Sequence, residues 1–270
     1  MDLNKAIESI EKQLKEFVGD RKAVIGLSGG IDSTVIAYLC VRALGGGNVL
    51  GISMPCNGDG RLNVSTQSSI DDAVLVASTL GIPYKMRGIE KAVKAFGDME
   101  SGAKDLTMGN IMARVRMVTL YMYANEINGM VIGTTNKTEA MIGYYTKYGD
   151  GAVDVEPIAA LYKTDVWKMA KILGVPRQII NKKPSAELWE GHSDEDEFGM
   201  TYQEMDDILK DIVKASDKWV NKLIMKEAYG TKSFDAICLK HGEEKVLKVT
   251  ALMCNSEHKK HMPPAFDIEI

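Results

Sequence analysis

The sequence predicts an α/β fold with a parallel sheet that helices flank on both faces, and with helical additions at the C-terminal end. Short apolar runs alternate with stretches of helical periodicity through the first half of the chain, which is typical of parallel strands joined by right-handed helical crossovers. A glycine-rich turn follows the first apolar run and leads into a helix. With 270 residues, of which 45% are apolar, the chain can bury a core of this size, and we expect residues 1–270 to form one domain.

The elements of the first half can be placed in order. Residues 1–17 carry apolar side chains at the spacing of one helical stripe and predict an amphipathic packing helix; the stripe is Leu3, Ile7, Ile10, Leu14 and Phe17. Short apolar runs predict strands over 23–27, 48–54, 82–87 and 129–133. Helical spacing predicts helices over 35–44, 70–80 and 111–125, and glycines end the first two.

The second half of the chain is predicted to be mainly helical. A helix over 164–173 ends at Gly174-Val175-Pro176, which is a termination signal. Residues 185–201 contain the acidic run 194–197 and predict a surface loop. Further helices are expected over 203–215 and in stretches that reach Gly230 and Ala251, before a polar tail over 257–264.

Composition excludes several classes of protein. A formal net charge of -4 gives no overall basic field for nucleic acid, although a few placed cations suffice for a small anionic substrate. No apolar run reaches the roughly 18 residues of a membrane span. Widely spaced cysteines in a chain without a signal peptide indicate free thiols in a reducing cytosol, with a metal site as the alternative; they are Cys40, Cys56, Cys238 and Cys254. We therefore expect a cytoplasmic protein that binds neither nucleic acid nor membrane.

The most informative residues form the glycine turn at the junction of the first strand and its helix: Gly26, Leu27, Ser28, Gly29, Gly30, Ile31, Asp32 and Ser33. Glycine lets backbone N–H groups approach a phosphate, and the helix N-terminus adds donors and a positive dipole end. Ser28 and Ser33 can add hydroxyl donors, whereas Asp32 can meet a phosphate only through a cation and is a candidate Mg²⁺ ligand. The turn is neither a Walker loop nor G-x-G-x-x-G. An ordinary strand-to-helix turn with Ser33 as its cap is the alternative.

The S-G-G-x-D-S pattern of this turn resembles the loop of the N-type ATP pyrophosphatases, whose fold is Rossmann-like and of the adenine nucleotide α-hydrolase type. The loop alone leaves GMP synthetase, asparagine synthetase, argininosuccinate synthetase and tRNA-modifying enzymes open. Downstream segments resemble signatures of the ammonia-dependent NAD synthetase family in that family's order, over 109–117, 133–139, 145–151, 183–188, 193–207 and 257–260. This resemblance covers roughly residues 20–265, and residues 146–151 are its most specific part.

The resemblance implies roles for individual residues. It places Thr134, Lys163 and Ser185 at ATP, and it adds Glu139 to Asp32 as a second Mg²⁺ ligand, so that Asp32, Lys163 and Glu139 are the catalytic candidates. For deamido-NAD it implies Arg114, Lys147, Asp154, His258 and Lys259. Taken alone, Arg114 could form a surface ion pair, Lys163 could be a solvated residue at a helix start, and Glu139 and Asp154 could be solvated carboxylates.

The resemblance also implies a reaction. The nicotinate carboxylate of deamido-NAD attacks the α-phosphorus of ATP, pyrophosphate leaves, and ammonia then displaces AMP to give NAD. A homodimer with its dinucleotide site at the subunit interface, a lid over 185–201 and the absence of a glutaminase domain are further expectations. The rival functions are a tRNA-modifying pyrophosphatase, for which no basic surface is visible, and a noncatalytic nucleotide sensor, which needs no paired metal carboxylates.

The chain departs from the bacterial pattern of this family in three places. Thr135-Asn136 stands where Asp-His is common, residues 54–67 match poorly, and Ser185 stands where threonine is usual. Serine keeps the hydroxyl group. These departures bear on individual contacts and leave the expected reaction unchanged.

Overall fold

The computed structural model describes residues 2–57, 65–100, 102–185, 193–215, 230–263 and 266. The chain divides into two compact units. Unit 1 comprises Met1–Lys137 and Tyr145–Gly199, and unit 2 comprises Thr138–Tyr144 and Met200–Ile270. The expectation of one domain over residues 1–270 stays a prediction, because this division does not decide whether either unit folds alone.

The strands and helices run in the following order along the chain. The strands are β1 (Lys22–Gly26), β2 (Val49–Ser53), β3 (Tyr84–Met86) and β4 (Gly129–Ile132). The first helices are α1 (Leu3–Val18), α2 (Ile31–Leu44), α3 (Gln67–Leu80), α4 (Glu90–Met99), α5 (Asp105–Ile127) and α6 (Lys137–Ile142). The later helices are α7 (Lys163–Leu173), α8 (Arg177–Ile180), α9 (Asp194–Phe198), α10 (Tyr202–Ala215), α11 (Lys232–His241) and α12 (Glu243–Asn255). Short 3-10 helices cover Gly46–Asn48 and Glu257–Lys259.

Unit 1 is organised around a parallel sheet whose described strands follow the order β3-β2-β1-β4. In the register, Ala23 of β1 lies opposite Val49 on one side and Met130 on the other. Beyond β4, Ile132 and Val155 form an isolated parallel bridge. The carboxyl end of β1 therefore opens at the middle of the sheet edge, which is where ligands bind in folds of this type.

Helices cover both faces of this sheet, as the sequence predicts. Ala23 and Ile25 of β1 belong to a buried cluster that includes side chains of α1, α2 and α7. Val24, which points the opposite way, belongs to a second cluster with side chains of α4 and α5. The alternation of side chains along a strand therefore divides the core of unit 1 into two layers.

Helix α1 confirms the predicted amphipathic helix and corrects one residue of its stripe. Asp2 caps the helix by accepting a hydrogen bond from the backbone N–H of Asn4 at 3.1 Å. Leu14 and Val18 are buried, whereas Phe17 is 41% exposed. Phe17 was wrongly assigned because both i+3 and i+4 positions lie near a stripe, and here the i+4 residue faces the core.

Three further expectations for unit 1 need correction. Helix α4 was not predicted, and Gly97 near its end weakens the helical signal. Helix α5 begins at Asp105, six residues before its predicted start. The acidic run in the predicted 185–201 loop forms the first turn of α9, where the positive end of the helix dipole stabilises the carboxylates. Gly199, in the left-handed conformation, ends that helix. Residues 186–192 of the predicted lid lie outside the described residues.

Unit 2 contains the helical additions at the C-terminal end. Its core includes the buried apolar side of α10, with Tyr202 and Met205 fully buried, and the buried valines of α12. Thr138 of α6 donates a hydrogen bond from Oγ1 to Oδ1 of Asp206 at 2.5 Å, and both residues are buried. The predicted stretch of helix that reaches Gly230 falls largely on 216–229, outside the described residues.

The four cysteines are free thiols in the structure. Burial raises the pKa of Cys40 to about 12, so this thiol stays protonated and unreactive. Across the part of the chain that the structure describes, no helix is long and apolar enough to cross a membrane.

Candidate active site

The glycine turn lies where the sequence places it, between the end of β1 and the start of α2. Gly30 is the N-cap residue of α2 and no side chain caps this end, so the first backbone N–H groups of the helix are available to a ligand. The hydroxyl of Ser33 donates to the carbonyl oxygen of Gly30 at 3.1 Å. Ser33 therefore does not cap the helix, and the alternative of an ordinary turn capped by Ser33 is wrong in that form.

Gly29 is the position in this turn where glycine is required. Its φ of +77° lies in the left-handed region, which other residues rarely adopt. A Cβ atom there would lie 2.2 Å from the backbone oxygen of Ser69 and 3.1 Å from Cβ of Asp72. The missing side chain thus lets the turn pack directly against the start of α3.

A closed circuit of hydrogen bonds fixes the shape of the turn. The backbone N–H of Gly30 donates to Oγ of Ser28 at 3.1 Å, and Oγ of Ser28 lies 3.0 Å from Oγ of Ser33. Because Ser33 uses its proton on the Gly30 carbonyl, Ser28 must be the donor between the two hydroxyls. Both serines thus hold the turn together, and a phosphate has to draw their protons away from these partners.

Asp32 and Lys163 form an ion pair beside the turn, which the sequence did not predict. The ammonium nitrogen of Lys163 lies 2.5 Å from Oδ2 of Asp32, and their side chains are 4% and 17% exposed. The amide nitrogen of Asn136, which is fully buried, donates to Oδ1 of Asp32 at 3.0 Å. Two of the predicted catalytic residues are therefore brought together, and the alternative of a solvated Lys163 is wrong.

The donor set around Asp32 is compatible with Mg²⁺. Within the described residues no group of three or more His, Cys, Asp or Glu side chains could hold a metal ion. Mg²⁺ in nucleotide sites needs only one or two carboxylates, because substrate phosphates and water complete its shell. Each carboxylate oxygen of Asp32 also has two lone pairs, so its contacts with Lys163 and Asn136 do not exhaust it as a ligand.

The loop after β4 carries Thr134, and it contacts the carboxylate of Glu156, which the sequence did not single out. The backbone N–H of Thr135 donates to Oε2 of Glu156 at 2.9 Å. The carboxyl group lies against Gly133, where a Cβ atom would come within 2.3 Å of it. The pKa of Glu156 is raised to about 7, mainly by burial and to a smaller extent by the charge of Asp150. The hydrogen bonds from Thr135 act in the opposite direction and lower it.

The segment from Thr146 to Gly151 folds into a tight turn that Arg114 joins to α5. Oγ1 of Thr146 donates to the side-chain oxygen of Asn110 in α5 at 2.8 Å, and its backbone N–H donates to Oδ1 of Asp150 at 2.9 Å. Arg114 donates from its guanidinium to the carbonyl oxygen of Lys147 at 3.2 Å. Arg114 and Lys147 are thus brought together, and Arg114 makes this contact with a backbone carbonyl.

Asp154 holds the edge of the sheet. Its Oδ2 accepts from the backbone N–H of Val131 at 2.7 Å, and the hydroxyl of Tyr121 donates to its Oδ1 at 3.2 Å. Burial, followed by the nearby Asp154 charge, raises the pKa of Tyr121 to about 12. Asp154 is therefore more than a solvated carboxylate, and its role at deamido-NAD stays a prediction.

Ser185 is exposed at the end of a segment that is fixed to α3. The ammonium of Lys182 donates to Oδ2 of Asp72 at 2.9 Å and to Oγ of Ser69 at 2.8 Å. Gln178 donates to the other oxygen of Asp72 at 2.7 Å. Since Ser69 and Asp72 also contact Gly29, the segment that leads to Ser185 and the glycine turn share one support.

The remaining predicted residues, Glu139, His258 and Lys259, belong to unit 2. Glu139 lies in the short helix α6, and His258 and Lys259 lie in the 3-10 helix after α12. The ammonium of Lys259 donates to the carbonyl oxygen of Gly143 at 2.7 Å. His258 is exposed. The assignment of Glu139 to the cation, and of His258 and Lys259 to deamido-NAD, stays a prediction.

Sequence reasoning missed Asn136, Glu156 and Asp72. Asn136 was treated as a departure from the bacterial pattern, although its position four residues after β4 places it near the carboxyl edge of the sheet. Glu156 follows Asp154 by two residues, and in an extended segment such residues face the same side. That alternation was a usable signal. Asp72 gave none, because acidic residues are common on helices.

Comparison with known proteins identifies the family. The NAD synthase family matches residues 3–263. The chain belongs to the NAD synthase family. An NH(3)-dependent NAD(+) synthetase from Archaeoglobus fulgidus is 41% identical over 267 residues, which cover 98% of this chain and 97% of that protein. Family membership confirms the resemblance of the motifs.

Two solved structures are similar to this NAD synthase family member over 99% of its chain and 100% of theirs. An NMN synthetase from Francisella tularensis has a TM-score of 0.80 at 31% identity. An NH3-dependent NAD synthetase from Campylobacter jejuni has a TM-score of 0.77 at 29% identity. These similarities confirm the predicted adenine nucleotide α-hydrolase-like fold.

Proposed function

We propose that this chain makes NAD by ATP-dependent amidation of deamido-NAD, with ammonia as the nitrogen donor and a nicotinate adenylate as the intermediate. Membership of the NAD synthase family makes it a carbon–nitrogen ligase that releases AMP and pyrophosphate. The observation that supports the ATP chemistry best is the glycine turn at the N-terminus of α2, with Asp32 and Lys163 paired beside it. A turn of this kind offers backbone donors to phosphates without a Walker lysine.

The first step needs ATP to be held with its α-phosphorus exposed to the carboxylate. We assign the β and γ phosphates to the glycine turn, and Thr134 and Ser185 to further ATP contacts. Mg²⁺, held by Asp32 and by Glu139 as the second predicted ligand, would neutralise phosphate charge. When ATP binds, the ammonium group of Lys163 leaves Asp32 and pairs with a phosphate oxygen of ATP. Its positive charge then lies where negative charge accumulates on the phosphates during the reaction.

The acceptor is proposed to lie against the turn over residues 146–151, which Arg114 contacts. Arg114 and Lys147 supply positive charge for deamido-NAD, and Asp154 keeps the edge of β4 in position. The resemblance adds His258 and Lys259 as further contacts. Because positioning supplies much of the rate in phosphoryl and nucleotidyl transfer, these residues act by orientation and need no covalent enzyme intermediate.

We further propose that the protein is a cytoplasmic homodimer. Helix α5 exposes apolar side chains in unit 1, and Leu106, Val118 and Met122 are 63%, 61% and 51% exposed. Such residues are typical of a protein interface. The free thiols fit a reducing compartment. Sedimentation analysis of the chain and of its Val118→Asp variant tests the dimer, since a charge at a buried contact would separate the subunits.

The test of function is an assay of purified protein with ATP, Mg²⁺, ammonium and deamido-NAD. NAD, AMP and pyrophosphate should appear in equal amounts, and omission of deamido-NAD should abolish all three. Folded protein that forms none of them would contradict the proposal.

A second candidate acceptor is the nicotinate mononucleotide, because one solved structure of high similarity is an NMN synthetase. The same assay with that acceptor would give NMN. We favour deamido-NAD, since the relative at 41% identity is an NAD synthetase. A higher kcat/KM for the mononucleotide than for the dinucleotide would reverse this choice.

A further inference from the structure

Asp72 is a buried carboxylate in the first half of α3 to which the reaction described above gives no role. Only 6% of its side chain is exposed. Its Oδ2 accepts a hydrogen bond from the ammonium of Lys182, and its Oδ1 accepts one from the side-chain amide of Gln178. Lys182 also donates to Oγ of Ser69. Both carboxylate oxygens of Asp72 therefore bind donors from one segment, which lies 106 to 110 positions further along the chain.

Stability alone does not account for this arrangement. A carboxylate and an ammonium that leave water lose their hydration, and their mutual attraction offsets that loss only with good geometry and further hydrogen bonds. An apolar pair of similar size often stabilises a fold as well or better. The ion pair adds a defined geometry, because Asp72 and Lys182 are each held by two directional contacts. Asp72 therefore fixes the segment over 178–182 to α3 in one position.

The same end of α3 contacts the glycine turn. A Cβ atom at Gly29 would lie 2.2 Å from the backbone oxygen of Ser69 and 3.1 Å from Cβ of Asp72, so the turn packs directly on these two residues. Thr66 caps this end of the helix, since its Oγ1 accepts from the backbone N–H of Ser69 at 3.1 Å. The first turns of α3 thus form a fixed support between the glycine turn and Lys182.

Ser185 follows Lys182 by three residues, and the chain between them has little conformational freedom. Three residues span at most about 11 Å. Lys183 precedes a proline, which favours an extended backbone, and the ring of Pro184 fixes its own φ. The carbonyl oxygen of Pro184 also accepts from the backbone N–H of Asp194 at 3.2 Å. A displacement of Lys182 is therefore passed on to Ser185.

We propose that Asp72 is a positioning residue for ATP, and that it sets the place of Ser185 relative to the glycine turn through Lys182 and Gln178. This assignment rests on the proposed function, in which the turn holds the β and γ phosphates and Ser185 makes a further ATP contact. The second contact adds to affinity only where the geometry allows both to be made at once. Asp72 acts on ATP only through these partners.

Asp72→Asn tests the assignment, because it keeps the side-chain volume and the Cβ contact with Gly29 but removes the charge that holds Lys182. We expect the KM for ATP to rise about tenfold, with kcat and the KM for deamido-NAD within about twofold of the unmodified protein. Inorganic pyrophosphate, which needs only the glycine turn, should inhibit with an unchanged inhibition constant. A purely structural loss would instead lower the active fraction, and with it kcat, without changing the KM for ATP.

A double-mutant cycle shows whether Asp72 acts through Ser185. Ser185→Ala should raise the KM for ATP about as much as Asp72→Asn does, and Asp72→Asn in the Ser185→Ala background should add less than about twofold. Residues that act independently would give effects that multiply. Asp71→Asn is the matched control, because it makes the same change at the neighbouring, exposed position of α3 and should alter none of these constants.

Gln178→Ala decides the question if Asp72→Asn does not fold. It removes one contact of Asp72 from an exposed residue and should raise the KM for ATP about threefold. An unchanged KM for ATP, a parallel rise in the inhibition constant of pyrophosphate, or multiplied effects in the double variant would overturn the assignment. Calorimetric titration with ATP makes the same comparison without an acceptor. Absence of NAD formation by unmodified protein that still binds ATP would contradict the proposed function and leave this binding test in place.

Discussion

The ammonium nitrogen of Lys163 lies 2.5 Å from Oδ2 of Asp32, and both side chains are largely withdrawn from solvent. Removal of one partner leaves a desolvated charge, so Lys163→Met should lower the free energy of unfolding by about 3 kcal/mol and abolish NAD formation. Urea denaturation measures the first effect. Lys94→Met, which removes a solvated partner of Asp98, should cost less than about 1 kcal/mol.

The double variant Asp32→Asn with Lys163→Met separates stability from function. It removes both charges, so most of the lost stability should return while activity stays absent. Stability no better than that of Lys163→Met would show that the loss comes from packing and that the ion pair contributes little.

Gly29→Ala should disrupt the glycine turn. The left-handed φ and the 2.2 Å approach to the Ser69 oxygen together predict a loss of at least about 2 kcal/mol, with much weaker ATP binding. Thermal unfolding and ATP titration measure the two effects. Gly47→Ala is the matched control, because a Cβ there meets nothing within 4 Å, and it should leave both properties unchanged.

Asn136→Asp should weaken MgATP binding without a large change in volume. The substitution replaces a donor to Oδ1 of Asp32 with a second carboxylate, and like charges at this distance repel. We expect a rise of about tenfold or more in KM for ATP and little change in KM for deamido-NAD. Equal increases in both constants would indicate a general loss of structure.

The stability of Glu156→Gln should depend on pH in a defined direction. The folded state raises the pKa of Glu156 from 4.5 to about 7, so its protonated form stabilises the fold below about pH 4.5, and this contribution is lost as the pH rises to about 7. The free energy of unfolding of the glutamine variant, taken relative to that of the unmodified protein, should therefore rise by about 1–2 kcal/mol when the pH is raised from about 5 to about 8. Denaturation curves at both pH values measure the gain, and a gain of opposite sign would contradict the raised pKa.

Asp211 of unit 2 should show the opposite dependence. Hydrogen bonds from Lys240 and His241 lower its pKa from 3.8 to about 2. The ionised carboxylate of Asp211 therefore stabilises the folded state above about pH 4, and this contribution is lost as the pH falls through about 2. Asp211→Asn should cost about 1–2 kcal/mol near pH 7 and nothing near pH 2. Asp98→Asn, which changes an exposed ion pair, should cost less than about 1 kcal/mol at either pH.

The parallel sheet was predictable because periodicity and glycine signals agree there. Strands β1, β2 and β4 lie within two residues of their predicted bounds, and Gly81 ends α3 as expected. Helix α9 was not predictable in the same way. Its acidic residues are typical of solvated loops, and only the local backbone shows that they occupy a first helical turn.

The candidate site was predictable for residues that carry a motif, and less so for their partners. The glycine turn, Asp32 and Lys163 follow from motif positions, but the contact between Asp32 and Lys163 joins residues 131 positions apart. Asn136 and Glu156 act through tertiary contacts, and one sequence gives no sign that two such distant segments meet. Pairwise geometry therefore had to come from the structure.

The circuit of Ser28, Ser33 and Gly30 has a consequence for the cost of binding. A loop that is disordered before binding loses conformational entropy of roughly 1–2 kcal/mol per residue when a ligand orders it. Here the turn already has a defined shape, since its own hydroxyl and amide groups satisfy one another. Arrival of a triphosphate exchanges one set of acceptors for another in a preorganised cradle, so more of the contact energy remains for affinity.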